Sequence, residues 1–124
     1  EILDRDGEGL KGIVFHCFSG SAEQAKSLLS RGYHMSFTGV VTFKNAQATR
    51  DAARVVPLDR LMIETDCPYM SPEPVRNQKP NEPALMVHTA RCLAEVKGVK
   101  MDNLAQATTQ TAVTFFGLAP TANP

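Results

Sequence analysis

Three short apolar runs of strand type, at residues 12–18, 33–38 and 61–65, alternate with segments of helical period. Nothing else in the chain restricts its fold as much. The order strand, helix, strand, helix, strand and then two helices predicts an α/β fold with parallel strands and right-handed crossovers. In the first run both alternating sets, Ile13, Phe15, Cys17 and Val14, His16, Phe18, are largely apolar. That suits a strand covered on both faces. The second run alternates more sharply, with Tyr33, Met35 and Phe37 on one side and His34, Ser36 and Thr38 on the other. Three such strands leave an open edge on each side, a poor end state for a buried parallel sheet. A chain of 124 residues that begins with Glu1 rather than Met is therefore expected to be one domain or a piece of one.

The connections carry their own signals. Ser21 followed by Gln24 predicts a capping box that opens a helix running to about residue 30, stopped by Gly32. Asn45 is expected to cap a helix that Pro57 ends. Asn81 is expected to cap the next, with Pro83 in its first turn and Gly98 at its close. Asp102 is expected to cap a last helix ending at Gly117. Residues 66–80 form a long loop holding Pro68, Pro72, Pro74 and Pro80, and loops of that length are usually functional or disordered. Residues 1–11 read as the end of a preceding helix with its loop, and residues 119–124 as a frayed tail.

Composition excludes more than it assigns. Basic and acidic residues balance at 13 each, so no broad electrostatic grip on nucleic acid is expected. No apolar run approaches the ~20 residues of a membrane span, and no secretory signal is visible. Cys17, Cys67 and Cys92 are odd in number and form no CxxC pair. They are expected to be reduced thiols in a cytoplasmic protein. Cys17 and Cys67 each follow a candidate ligand, and small residues packed beside a site are favoured over thiolate ligands.

Chemistry concentrates at two strand ends. Phe15-His16-Cys17-Phe18-Ser19-Gly20 and Ile63-Glu64-Thr65-Asp66-Cys67-Pro68-Tyr69 each run from an apolar strand into a ligand-type residue and then a turn. Active sites of parallel α/β folds gather at the carboxyl ends of strands, so His16 and Asp66 are expected on one rim. Imidazole and carboxylate together suit Zn²⁺, Mn²⁺ or Mg²⁺. Glu64 shares the parity of Asp66 and faces the same interior, either orienting a ligand or binding an ion directly, with the first favoured. Ser19 and Gly20 offer a hydroxyl and backbone N–H groups to a phosphate, or simply open the following helix. Arg76, in the long loop, is a candidate phosphate grip. His34, on the face of Ser36 and Thr38, either lines the interior or is a solvated or core histidine, with the second favoured, and His88 is read as structural.

The strings His16-Cys17-Phe18-Ser19-Gly20, Ser36-Phe37-Thr38-Gly39 with Thr42-Phe43-Lys44, Glu64-Thr65-Asp66-Cys67-Pro68-Tyr69 and Asn81-Glu82-Pro83, with the closing helix from Thr108-Thr109 to Phe116-Gly117, resemble the TatD family of metal-dependent hydrolases. The resemblance runs from about Gly12 to Leu118. It implies a partial TIM-type (β/α)8 barrel, strands six to eight with their helices, occupying residues 1–124 as the C-terminal half. It further implies a two-metal phosphodiesterase site acting on DNA. In that site His16 is a metal ligand, and Asp66 is a ligand that also shares in activating water. The family's remaining ligands, a His-x-His, a glutamate and a further histidine, have no counterpart in this chain. Two departures stand out. The family's glycine after the loop arginine is Asn77 here, which leaves the role of Arg76 open, and Thr111 replaces a common asparagine.

One histidine and one aspartate bind a divalent ion weakly, and a paired-metal site needs a fuller cage. The isolated chain is expected to be inactive. A second reading makes it a non-enzymatic half-barrel module that associates with the missing half, or with itself, through its open strand edges.

Overall fold

The computed structural model describes residues 2–118; the tail expectation for residues 119–124 lies outside the described residues. In chain order the elements are α1 (Ile2–Asp6), β1 (Val14–Phe15), α2 (Ala22–Leu29), β2 (His34–Phe37), α3 (Gln47–Val55), β3 (Leu61–Ile63), α4 (Met86–Lys97) and α5 (Met101–Phe116). Short 3-10 turns at Gly39–Thr42, Leu58–Arg60 and Pro83–Leu85 join them. The strands form one parallel sheet in the order β1-β2-β3. Val14 pairs with His34, and Ser36 with Met62.

Expected strands are shortened for a local reason. Cys17 takes a left-handed backbone (φ 48°) and Asp66 another (φ 52°), so β1 and β3 break at the ends that carry the ligand-type residues. The ladder continues past both breaks, with Phe18 N–H donating to the Ser36 carbonyl at 2.9 Å and Glu64 N–H to the Phe37 carbonyl at 3.1 Å.

The two faces of the sheet differ in company. Met35, Phe37 and Leu61 are fully buried on one face, packed with Ala25 of α2, Ala52 and Ala53 of α3 and Leu93 of α4. Small alanines let these helices lie close over the large strand residues, and their apolar stripes supply most of the helices' stability. The opposite face presents Val14, His16, Ser36, Met62 and Glu64 toward a concavity of about 730 Å³ that α4 and α5 complete. The far end of α5 passes under the amino ends of the strands. Thr111 Oγ1 donates to the Leu58 carbonyl at 2.8 Å, and the Phe115 ring lies 4.8 Å from that of His34.

Ser21 and Gln24 form the expected capping box at α2, and Gly98 and Gly117 close α4 and α5 in the left-handed conformation. Three other expected caps are corrected. Asn45 does not cap α3, whose N-cap is Ala46 without a side-chain bond. There the chain arrives through a turn in which Ala46 N–H reaches the Phe43 carbonyl at 3.0 Å. Asn81 does not cap α4, because its amide is engaged elsewhere and the turn Pro83–Leu85 intervenes. Asp102 lies inside the first turn of α5, beyond the N-cap Lys100, where its charge still opposes the positive helix end.

Candidate metal centre

The carboxyl rim of the sheet brings three ligand-type side chains together. His16, Glu64 and Asp66 each offer one ligand atom, and these atoms lie within 4.8 Å of one another. His16 is exposed, and its Nδ1 stands 3.5 Å from Glu64 Oε2. Glu64 is anchored through its other oxygen, which accepts from the Cys17 backbone N–H and the Ser36 hydroxyl, both at 2.5 Å. A charge-assisted pair of this kind fixes the carboxylate's direction. Oε2 is left toward the cluster.

Left-handed backbone at Cys17 and at Asp66 turns the chain at both ligand strings. Such conformations in non-glycine residues cost about 1–2 kcal/mol each and concentrate at functional sites. Burial pushes the Cys17 thiol above its ordinary range, against a lowering by the Thr38 hydroxyl and with smaller raising contributions from the Asp66 and Glu64 carboxylates. A neutral thiol in contact with Thr38 Oγ1 at 3.6 Å is a packed neighbour of the cluster.

The loop of residues 66–80 folds back over this rim. Met70 Sδ lies 3.9 Å from both Cys17 Sγ and Thr38 Oγ1. Asn81 Nδ2 donates to the Thr65 carbonyl at 2.8 Å and the Tyr69 carbonyl at 2.6 Å, clamping the loop's two ends. Glu73 N–H donates to Thr42 Oγ1 at 2.8 Å. Of the remaining candidates, Ser19 and Gly20 line a shallow concavity of about 490 Å³ that also includes His16. Arg76 is not drawn into the cluster. Its guanidinium sits 3.9 Å from the centre of the Phe43 ring and 4.0 Å from Glu73 Oε1. Ser36, Met70 and Asn81 were not singled out from the sequence as parts of the site. Only Ser36 left a signal there, since it alternates with Thr38 on the face that Glu64 shares.

A parallel α/β sheet whose carboxyl edge gathers an imidazole and two carboxylates defines a class: α/β proteins with a candidate metal-binding cluster at the carboxyl rim of the strands. Within it the chain belongs to the TatD family: the family model for TatD-related DNases matches residues 1–117. A protein of Escherichia coli named as the uncharacterized metal-dependent hydrolase YcfH is 50% identical over 105 residues, covering 85% of this chain and 39% of the relative. The Bacillus subtilis uncharacterized metal-dependent hydrolase YabD is 40% identical over 115 residues, covering 93% of this chain and 45% of its own length. Among solved structures, the TatD homologue YjjV of Escherichia coli superposes with a TM-score of 0.77 at 33% identity, covering 86% of this chain and 40% of that one. A TatD-family hydrolase of Entamoeba histolytica has a TM-score of 0.73 at 19% identity, which speaks to the fold alone; it covers 86% of this chain and 42% of that one. The chain thus spans about two fifths of the length of these relatives.

Proposed function

We propose that the chain carries part of a divalent-metal phosphodiesterase centre, and that in the whole protein this centre hydrolyses DNA. The observation that carries the reading is the convergence of His16, Glu64 and Asp66 within 4.8 Å at the carboxyl ends of parallel strands. One imidazole and two carboxylates fit Mg²⁺, Mn²⁺ or Zn²⁺ as a donor set. When bound, such ions polarise a phosphoryl oxygen and acidify water.

The chain's own groups have distinct tasks in this reading. His16 holds an ion through its imidazole. Asp66 holds an ion and accepts a proton from the attacking water. Glu64, fixed through Oε1, uses Oε2 either on the ion or on the His16 ring, where it orients the ligand. Ser19 and Gly20 receive a substrate phosphate beside His16. Arg76, steadied on Phe43, meets a phosphate farther along the DNA. With zero net charge, the substrate is held by these local donors and by the metals.

Three ligands are too few for two ions, and β1, β2 and β3 correspond in this reading to strands six, seven and eight of an eight-stranded barrel. The remaining ligands come from the complementary part of that barrel, in the cytoplasm. The purified chain is expected to release no nucleotides from single-stranded DNA with Mg²⁺ or Mn²⁺, and release by wild type but not Asp66→Asn would overturn the incomplete-centre reading. Mn²⁺ is expected to broaden resonances around His16 and Asp66, and to lose this effect in His16→Ala and Asp66→Asn. Broadening indifferent to both substitutions would overturn the metal reading. The second reading, a non-enzymatic half-barrel module, draws on the outer edges of β1 and β3, which are unpaired among the described residues. A complementary fragment that restores association but no hydrolysis would favour it.

A further inference from the structure

We propose that Tyr69 is a stacking platform for an unpaired nucleobase of the substrate strand, beside the phosphate that meets the metal cluster. The inference rests on the phosphodiesterase reading and adds which part of the nucleotide this chain holds.

Tyr69 is the aromatic residue that the fold leaves unused. Phe15 packs on Tyr33, Phe18 on Phe37, and Phe115 on both His34 and Phe116. Phe43 lies under the Arg76 guanidinium. Tyr69 completes the set of aromatic side chains in the sequence. It alone has no ring contact and no side-chain hydrogen bond among the described residues, and it is 73% exposed.

Its backbone, by contrast, is tied down. Tyr69 N–H donates to the Asp66 carbonyl at 2.9 Å, closing a turn that begins on the ligand residue itself. Such a turn holds its first and fourth Cα atoms within about 7 Å. Asn81, buried, donates through Nδ2 to the Tyr69 carbonyl at 2.6 Å and through its N–H to the Pro68 carbonyl at 2.9 Å. The next residue, Met70, sets its thioether against Cys17 and Thr38. A ring on a floppy loop loses much of any contact energy to ordering of the chain. Here the backbone is ordered beforehand, and a tyrosine side chain has few rotors left to fix.

The charge balance points the same way. With zero net charge, affinity for a polyanion needs a contribution that is not ionic. Stacking of a base on an aromatic face supplies one, and it tolerates any base. Bases inside a duplex are stacked on their neighbours, so the platform takes a single strand or a frayed end.

The probes are a short oligothymidylate and an abasic oligonucleotide with the same number of phosphates. Each is titrated, with Mg²⁺ present, into the chain carrying isotopically labelled tyrosine rings. Two tyrosines give two sets of ring signals. Tyr33, half-buried against Phe15 next to the amino end of β2, is the internal reference. A saturable upfield shift at Tyr69 and not at Tyr33 is expected with oligothymidylate, and none with the abasic strand. Tyr69→Phe should keep the affinity, because the ring and not the hydroxyl binds. Tyr69→Ala should weaken it by about tenfold, followed on backbone amide signals. A Tyr69 ring that ignores oligothymidylate, an equal response to the abasic strand, or an unchanged affinity in Tyr69→Ala would overturn the proposal. None of these readouts uses hydrolysis or manganese. Any of those three results with manganese broadening intact at His16 and Asp66 would remove the stacking platform and leave the metal reading standing.

Discussion

Glu64 is tied down by one oxygen and available through the other. Its Oε1 takes the Cys17 N–H and the Ser36 hydroxyl, while Oε2 faces His16 at 3.5 Å. Removing the hydroxyl leaves Oε1 held by the Cys17 N–H alone and loosens the carboxylate without touching His16 or Asp66. Ser36→Ala is therefore expected to weaken Mn²⁺ binding by roughly tenfold, read by electron paramagnetic resonance of free Mn²⁺, with little change in unfolding midpoint. An unchanged affinity would mean that the Ser36 bond does not set the ligand geometry. Strand parity made Glu64 and Ser36 readable in the sequence, because alternate residues of β2 and β3 face one side. Met70 and Asn81 obey no period. Their place depends on how a proline-rich loop closes in three dimensions, which no local pattern encodes. His34 supplies the pH dependence at this scale. Its folded-state value lies below 6.5, through burial and then the Arg60 charge. The unfolded chain thus binds the proton more readily, and stability is present above the unfolded value and lost as pH falls below it. Urea titrations from about pH 7 down to about pH 5 should show that loss, and His34→Gln should flatten it. A slope unaltered by the substitution would assign the effect to other groups.

At the scale of elements, the rim is built by contact between the segments that follow β2 and β3. Gly39 begins the 3-10 turn after β2, and a Cβ there would strike the Met70 carbonyl and crowd the Pro72 backbone. Neither obstacle is a flexible side-chain end. Gly39→Ala is expected to cost about 1–3 kcal/mol and to lift the 66–80 loop from Thr38 and Cys17, visible as faster amide exchange along residues 66–80. Exchange unchanged there would show that the backbone yields elsewhere. The carboxyl end of α3 is closed by a residue distant in sequence. Lys97 Nζ donates to the carbonyls of Ala53 at 3.3 Å, Arg54 at 2.8 Å and Val56 at 2.6 Å. Helix ends were legible where the cap was local, as with Ser21 and Gln24, or where glycine had to turn left-handed, as at Gly98 and Gly117. They were misread at Asn45 and Asn81, where a turn or distant carbonyls compete for the cap, and at Asp102, where the helix starts one residue before it with Lys100 as its N-cap. A lone asparagine before a helical pattern cannot reveal that competitor.

For the whole molecule, the governing fact is a parallel sheet that is finished on one face and unfinished at both edges. The helix-covered face holds Met35, Phe37 and Leu61 at full burial. β1 and β3 each pair only with β2, so their outer backbone groups have no strand partner among the described residues. Beside the open edge of β3 the concavity of about 730 Å³ is lined by Met62, Met86, Val87 and Phe116. Phe116 is 60% exposed and Leu118 56%. Unpaired parallel edges flanked by apolar side chains are templates for association. The purified chain is expected to sediment as a concentration-dependent mixture. A fragment supplying the remaining strands of a family barrel should draw it into a one-to-one complex with a single, steeper unfolding transition, since that fragment pairs both edges and fills the concavity at once. Val87→Lys places a charge on the lining of that concavity at a residue 39% exposed, without altering the core. It should abolish the one-to-one complex while leaving the far-ultraviolet circular dichroism of the chain alone unchanged. A chain that stays monomeric at every concentration, and that ignores the complementary fragment, would show that its edges are satisfied without a partner and would remove the ground for completing the metal centre in trans.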